Sequence, residues 1–300
     1  MPLPRRVTIV EVGPRDGLQN EPERVDAADK ATFIEMLADA GASVIEIGAW
    51  VRADWVPQMA DSSTVALRIA RKPGVRYTGL VPNQRGLEYA HEAGMTEVAV
   101  FAAASETFSQ RNINRSIDES IALYAGVCRA AAQLNVQVRG YVSTAFGCPF
   151  EGRVDPAAVA DVSRRLLDAG VFEVSVSDTI GVAHPGQVPT VLDAVRKYVP
   201  LERIALHFHD TRGTALANVL TALHAGVTIF DSSAGGLGGC PYAPGATGNL
   251  ATEDLIYMLD GLGIDTGIDL AALVEASRFI ESKLGHRLPS RYYRASTAAR

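Results

Sequence analysis

The chain has 300 residues, 47% of them hydrophobic and 21% charged, which is enough for a large buried core and excludes an intrinsically disordered protein. Its net charge of −6 argues against bulk nucleic-acid or anionic-membrane binding as the main task and leaves room only for a local basic patch facing a phosphate-bearing ligand. Cys128, Cys148 and Cys240 are odd in number and lack C-x-x-C spacing, which speaks against a disulfide framework or a structural zinc site.

Met1-Pro2-Leu3-Pro4-Arg5-Arg6 runs directly into the strand-like Val7–Val12. No signal-like apolar region precedes it, and no uncharged stretch long enough to span a bilayer follows, so a cytoplasmic protein is expected. Seven further Val- and Ile-rich runs follow in chain order: Val44–Gly48, Val75–Val81, Glu97–Ala102, Val136–Val142, Glu173–Ser177, Arg203–Phe208 and Thr228–Ser232. Their spacing is that of βα units. Helical periodicity lies between them, with Phe33, Ile34, Leu37 and Ala38 on one stripe of Lys30–Ala40, and Val159, Val162, Leu166 and Leu167 on one stripe of Pro156–Ala169. Four Ala-Gly pairs, at Ala40-Gly41, Ala93-Gly94, Ala169-Gly170 and Ala225-Gly226, each close a helical stretch ahead of a strand, where glycine supplies the left-handed stop. Ser105–Ser116 reads as a long polar loop, Leu270–Leu284 as an extra helix, and Pro289–Arg300 as a basic mobile tail. Eight parallel strands with intervening helices predict a (β/α)8 TIM barrel, one domain over 1–300, with the barrel at about 6–262 and a helical addition at about 263–300.

A barrel of this kind builds its site from strand C-termini and the loops after them. Arg15 and Asp16 follow the first strand and Glu46 lies in the second. Ser175, Ser177 and Asp178 close the sixth strand, and His207, His209 and Asp210 the seventh. Cys240 and Asn249 sit in or just after a glycine-rich loop behind the eighth. His207 and His209 are two apart in a strand, so both imidazoles face one side while Phe208 turns toward the helices. Two imidazoles need carboxylate or amide oxygens to complete a cation shell, and Asp16 and Asn249 are candidates at the same rim. Such a mixed N/O set suits Mg²⁺ or Mn²⁺; residue type alone leaves Zn²⁺, Fe²⁺ and Co²⁺ open. One imidazole could instead be a packed core histidine. Ala234–Asn249 can act as a lid, and Cys240 within it reads better as a reacting group than as a ligand. Trp50 and Trp55 could wall the mouth or pack in the core.

These residues, in this order, resemble the 3-hydroxy-3-methylglutaryl-CoA lyase family of metal-dependent barrels. The matching segments are VEVGPRDGLQNE (Val10–Glu21), WVPQM (Trp55–Met59), VAVFAAASETFSQRNIN (Val98–Asn114), SDTIGV (Ser177–Val182), HFHDT (His207–Thr211) and GLGGCPYAPGATGNLATEDL (Gly236–Leu255). The resemblance runs from about Arg6 to Leu284. It implies a divalent cation on Asp16, His207, His209 and Asn249, and catalytic roles for Arg15, Asp16, Glu46, Asp178, His207 and Cys240. It further implies an acyl-CoA substrate near Arg15, Gln19, Asn112, Asn114 and Ser175, and a homodimer or higher homo-oligomer. The implied reaction is a retro-Claisen cleavage of a 3-hydroxy-3-substituted acyl-CoA to acetyl-CoA and a 3-oxo acid, acetoacetate for the namesake substrate. Arg15 is expected to stabilise the thioester enolate and Cys240 to protonate it.

Several positions depart from the family pattern. Ala49-Trp50 stands where a small hydroxylated residue and Phe are usual, and Arg52-Ala53-Asp54 where Ser-Pro-Lys is usual. Ser177, His184, Arg115 and Arg212 are also new. Ala49, Trp50, Arg52, Arg115 and Arg212 suggest a larger or differently charged acyl substituent. The rival readings are a Claisen-type synthase or aldolase on the same barrel, and a catalytically silent acyl-CoA-binding protein.

Overall fold

The computed structural model describes residues 2–239 and 248–298. Eight parallel strands close in sequence order: β1 (Thr8–Glu11), β2 (Val44–Ala49), β3 (Arg76–Leu80), β4 (Glu97–Ala103), β5 (Gln137–Ser143), β6 (Glu173–Asp178), β7 (Ile204–Phe208) and β8 (Ile229–Ser232), with β8 pairing back to β1. Each coincides, within a residue or two at the ends, with one of the eight apolar runs. β-branched residues fit the pleat, and helices must cross between parallel neighbours. The four helix-stop glycines have φ values of +102° (Gly41), +78° (Gly94), +112° (Gly170) and +93° (Gly226), the conformation the Ala-Gly repeat predicts. At Gly41 a side chain would also collide with the Gly267 carbonyl.

The main apolar core lies between strands and helices, with Phe33, Ile34 and Leu37 fully buried on the stripe of helix Ala27–Asp39. The barrel interior combines a small apolar cluster, Val10, Val12 and Val44, with a polar network. Glu46, Arg139, Ser175, His207 and Asp231 are all buried there. No helix among the described residues is long and apolar enough to cross a membrane.

Two sequence expectations fail. Ser105–Ser116 contains a helix, Glu106–Ile113, which Ser105 caps by accepting from the Phe108 amide at 3.2 Å and the left-handed Asn114 closes at φ +53°. The polar composition concealed it because a short helix needs only one buried anchor, here Phe108. The tail is not free either: Arg291–Thr297 is helical. The Ser290 hydroxyl and the Arg291 and Tyr292 amides donate to Asp254, and the Arg291 guanidinium reaches Asp210 at 2.7 Å. The helix after the glycine-rich loop spans Thr252–Gly261.

Candidate active site

A cavity of about 610 Å³ opens at the C-terminal end of the strands. Arg15, Asp16, Gln19, His207 and His209 form its polar floor, and Leu80, Phe101 and Phe108 are among the apolar residues of its wall. Asp16, His207 and His209 each offer a ligand atom, and these atoms lie within 4.8 Å of one another. The two imidazole centroids are 5.1 Å apart, as the i, i+2 spacing at the end of β7 requires. Asn249 joins them through a backbone bridge to His209, and its Nδ2 donates to the Leu237 carbonyl at 3.1 Å.

The fit to a cation rests on orphaned atoms. His209 Nδ1 and Asn249 Oδ1 are buried with no hydrogen-bond partner among the described residues. Buried polar atoms are normally satisfied, so orphans beside a carboxylate mark a place for a ligand. Burial, reinforced by neighbouring His207, pushes the His209 pKa down to about 3, which keeps its ring neutral and able to ligate. Burial alone would raise Asp16, but the adjacent Arg15 charge outweighs it and holds the carboxyl below its usual range.

Arg15 projects from the tight turn Gly13–Gly17 after β1. Its Nε donates to Glu46 at 2.7 Å and its Nη1 to Asp16 at 2.7 Å, and it lies 5.6 Å from the centre of the Tyr141 ring. Burial opposes its charge, yet Glu46 and Asp16 raise the pKa further above the ordinary arginine value, so the guanidinium stays charged. Gln19 donates to Asp16 at 2.8 Å. Glu46 is fully buried behind Arg15 and does not line the cavity.

Other expected residues lie elsewhere. Asp178 turns from the cavity and accepts from the Val182 and Ala183 amides at 2.9 and 3.1 Å. Burial pushes its pKa up to about 6 against those amides. Ser175 is sealed beneath His207, its hydroxyl donating to Asp231 at 2.9 Å. Asn114 is an exposed helix cap, whereas Asn112 does line the cavity. Cys240 lies outside the described residues. Of the departures from the family pattern, Ala49, Arg52, Arg115 and Ser177 reach the cavity. Arg52 lies over Trp55 at 5.3 Å and donates to Asp54 at 3.0 Å. Trp50 does not reach it: the indole is buried, donates to Ser63 at 2.8 Å and packs over Gly79. A register shift in β2 between Glu46 and Ala49 turns Ala49 to the cavity, and Trp50, the next residue, takes the opposite side. Arg212 is occupied with the Ile180 and Gly181 carbonyls at 2.8 and 2.9 Å and is absent from the cavity wall.

The residues missed from sequence lie one layer down. Arg139 is completely buried, donating to Glu173 at 2.6 Å and to both Asp231 oxygens at 2.7 and 3.2 Å. Glu11 accepts from the Gly13 and Ala234 amides, and Glu253 from the Gly235 amide, so two buried carboxyls hold the segment that leads into the glycine-rich loop. The available signal was a charged residue inside an otherwise apolar strand run.

Burial raises Glu11 to about 7 and Glu253 to about 8, against the hydrogen bonds each accepts. Both folded-state values exceed the unfolded one, so their contribution is full below the unfolded pKa and is lost as pH rises through 7 to 8. Stability measured by denaturant should therefore fall between about pH 4.5 and about pH 8, and Glu253→Gln should flatten that fall. An unchanged slope would show that Glu253 does not carry it.

The family model HMGL-like matches residues 6–280. A hydroxymethylglutaryl-CoA lyase of Bacillus subtilis is 53% identical, the match covering 97% of each chain. A 3-hydroxy-3-isohexenylglutaryl-CoA/hydroxymethylglutaryl-CoA lyase of Pseudomonas aeruginosa is 53% identical, with 99% of each chain covered. The crystal structure of hydroxymethylglutaryl-CoA lyase from Pseudomonas aeruginosa superposes with a TM-score of 0.98 at 53% identity, again over 99% of each chain.

Proposed function

The chain belongs to the HMGL-like family, and from that premise we propose that it is a carbon–carbon lyase of the hydroxymethylglutaryl-CoA lyase type, which cleaves a 3-hydroxy-3-substituted acyl-CoA into acetyl-CoA and a 3-oxo acid. The observation that carries this reading is the Asp16–His207–His209 cluster beside a charged, cavity-facing Arg15.

In the reaction the C2–C3 bond breaks and its electron pair stays on C2 of a thioester enolate, while the 3-hydroxyl proton leaves to solvent through the open mouth and is balanced by the proton later returned to C2. Asp16, His207, His209 and Asn249 would hold a divalent cation, Mg²⁺ or Mn²⁺, which would supply Lewis-acid polarisation of substrate oxygens when bound. Arg15 presents a fixed positive charge to the enolate oxygen, and Glu46 holds its guanidinium so that little reorganisation is needed as charge develops. Gln19 and Asn112 line the path of the acyl-CoA. Cys240 is the acid that returns a proton to C2, a role resting on its place in the loop motif. Asp178 acts indirectly, by shaping the turn after β6. We read the chain as one barrel lyase domain with a C-terminal helical addition, acting in the cytoplasm as a homodimer or higher homo-oligomer, on the strength of the same resemblance.

The test is release of acetyl-CoA and acetoacetate from 3-hydroxy-3-methylglutaryl-CoA with Mg²⁺ or Mn²⁺ present, alongside cation binding. Asp16→Ala and His209→Ala should abolish both turnover and stoichiometric cation binding. Cleavage that survives in either variant would defeat the assignment. A longer 3-substituent is favoured by one observation: Ala49 puts a methyl where the family has a hydroxyl, on a wall that includes Leu80 and Phe101. Comparing kcat/KM for 3-alkyl homologues decides it, since equal or falling values with chain length would exclude the larger substrate.

A further inference from the structure

Beneath the candidate cation site, His207 is held between two carboxylates. Its Nε2 lies 3.8 Å from Asp16 Oδ2 on the cavity side, and its Nδ1 lies 3.3 Å from Asp231 Oδ2 on the interior side. The second approach is set by strand register, since His207 and Asp231 are direct neighbours across β7 and β8. Asp231 is wholly shielded from solvent. Its oxygens take the Arg139 fork at 2.7 and 3.2 Å and the Ser175 hydroxyl at 2.9 Å. Arg139 offers only donors and cannot lose its proton, so it demands an anionic acceptor.

We propose that Asp231 is a positioning residue that fixes His207 as the Nδ1–H tautomer and so leaves the Nε2 lone pair for the divalent cation, with Arg139 as the group that keeps Asp231 an acceptor. The inference rests on the cation-site reading above. A charged carboxylate has no proton to give, so the imidazole nitrogen facing it must carry one. The other nitrogen then faces Asp16 with its lone pair free, as cation binding requires. Nδ1 of both imidazoles lacks a hydrogen bond of full geometry among the described residues, but only His207 has a carboxylate beside it, Asp231 Oδ2 at 3.3 Å, so the device belongs to one of the two imidazoles.

Asp231→Asn separates this from a simple counter-ion role. In the variant, Arg139 still takes the amide oxygen, because it can only donate. The amide NH₂ is then turned toward His207, which favours a bare Nδ1 and a protonated Nε2, the tautomer that cannot ligate. With histidine-selective ¹⁵N labelling in alkaline buffer, and assignment through His207→Gln, the wild-type protein should show Nδ1 protonated and Nε2 bare. Folded Asp231→Asn should show the reverse, and its dissociation constant for Mn²⁺ alone should rise about 10- to 100-fold. A counter-ion role would leave the tautomer unmoved. Wild-type His207 protonated at Nε2 overturns the inference, and this measurement needs no variant to fold. A folded Asp231→Asn that keeps the wild-type tautomer, or keeps wild-type Mn²⁺ affinity, overturns it as well. A wild-type protein that binds no Mn²⁺ overturns the site reading and the inference with it. Mn²⁺ bound by the wild type with the wrong tautomer overturns the inference alone.

Discussion

Arg15→Met is expected to lower kcat by a factor of about 100 to 1,000, the usual cost of removing one preorganised donor from a developing oxyanion. The guanidinium is 8% exposed, fixed on one side by Glu46 at 2.6 Å and on the other by Asp16 at 2.7 Å, and it faces the cavity. It is thus aimed before substrate arrives. The loss should appear in kcat more than in KM, since charge on the substrate oxygen grows only as the carbon–carbon bond breaks. Arg15→Lys should recover little, because an ammonium cannot serve Glu46, Asp16 and the substrate at once. Steady-state kinetics on variants confirmed as folded by circular dichroism would check this. Turnover close to wild type in Arg15→Met would remove the residue from the chemistry.

Arg139→Met should cost about 3–5 kcal/mol of folding stability, because it leaves buried partners without their counter-charge. Asp231 is fully buried and Glu173 nearly so. Burial would push the Asp231 carboxyl up, yet the Arg139 charge and His207 hold it down at about 2, so much of its ionised state depends on that one guanidinium. At about 2–4 °C per kcal/mol for a chain of this class, the melting temperature should fall by on the order of 10 °C. Arg196→Met is the control. Arg196 pairs with Asp193 at 2.9 Å, but both side chains are more than half exposed, and such a pair is worth about 1 kcal/mol or less. Chemical denaturation of both variants is the measurement. Equal small losses would mean that water reaches the barrel interior and screens Arg139.

The barrel was legible because its signals are local. Each strand is a short β-branched run and each Ala-Gly stop sits beside the helix it ends, so neighbours in sequence suffice. The rim was legible for a related reason: in a parallel barrel the polar ends of strands must gather at one mouth, so His207 and His209 predict each other's direction. Helix Glu106–Ile113 was hidden because one buried Phe108 offers no periodic stripe. The anchored tail was hidden because its partners, Asp210 and Asp254, are remote in sequence. Trp50 was open to either reading until the inward side of β2 was known.

By itself the amino-acid sequence determined the repeating unit, the closed parallel barrel it implies, and the chemical types gathered at the strand ends, since backbone geometry converts residue spacing directly into direction. Only the tertiary structure decided which charges meet. Arg139 and Asp231 stand 92 residues apart and come together through strand register and barrel closure. Whether a buried charge is paired or orphaned depends on atoms that no neighbouring residue supplies, which is why the layer beneath the site became visible only in three dimensions.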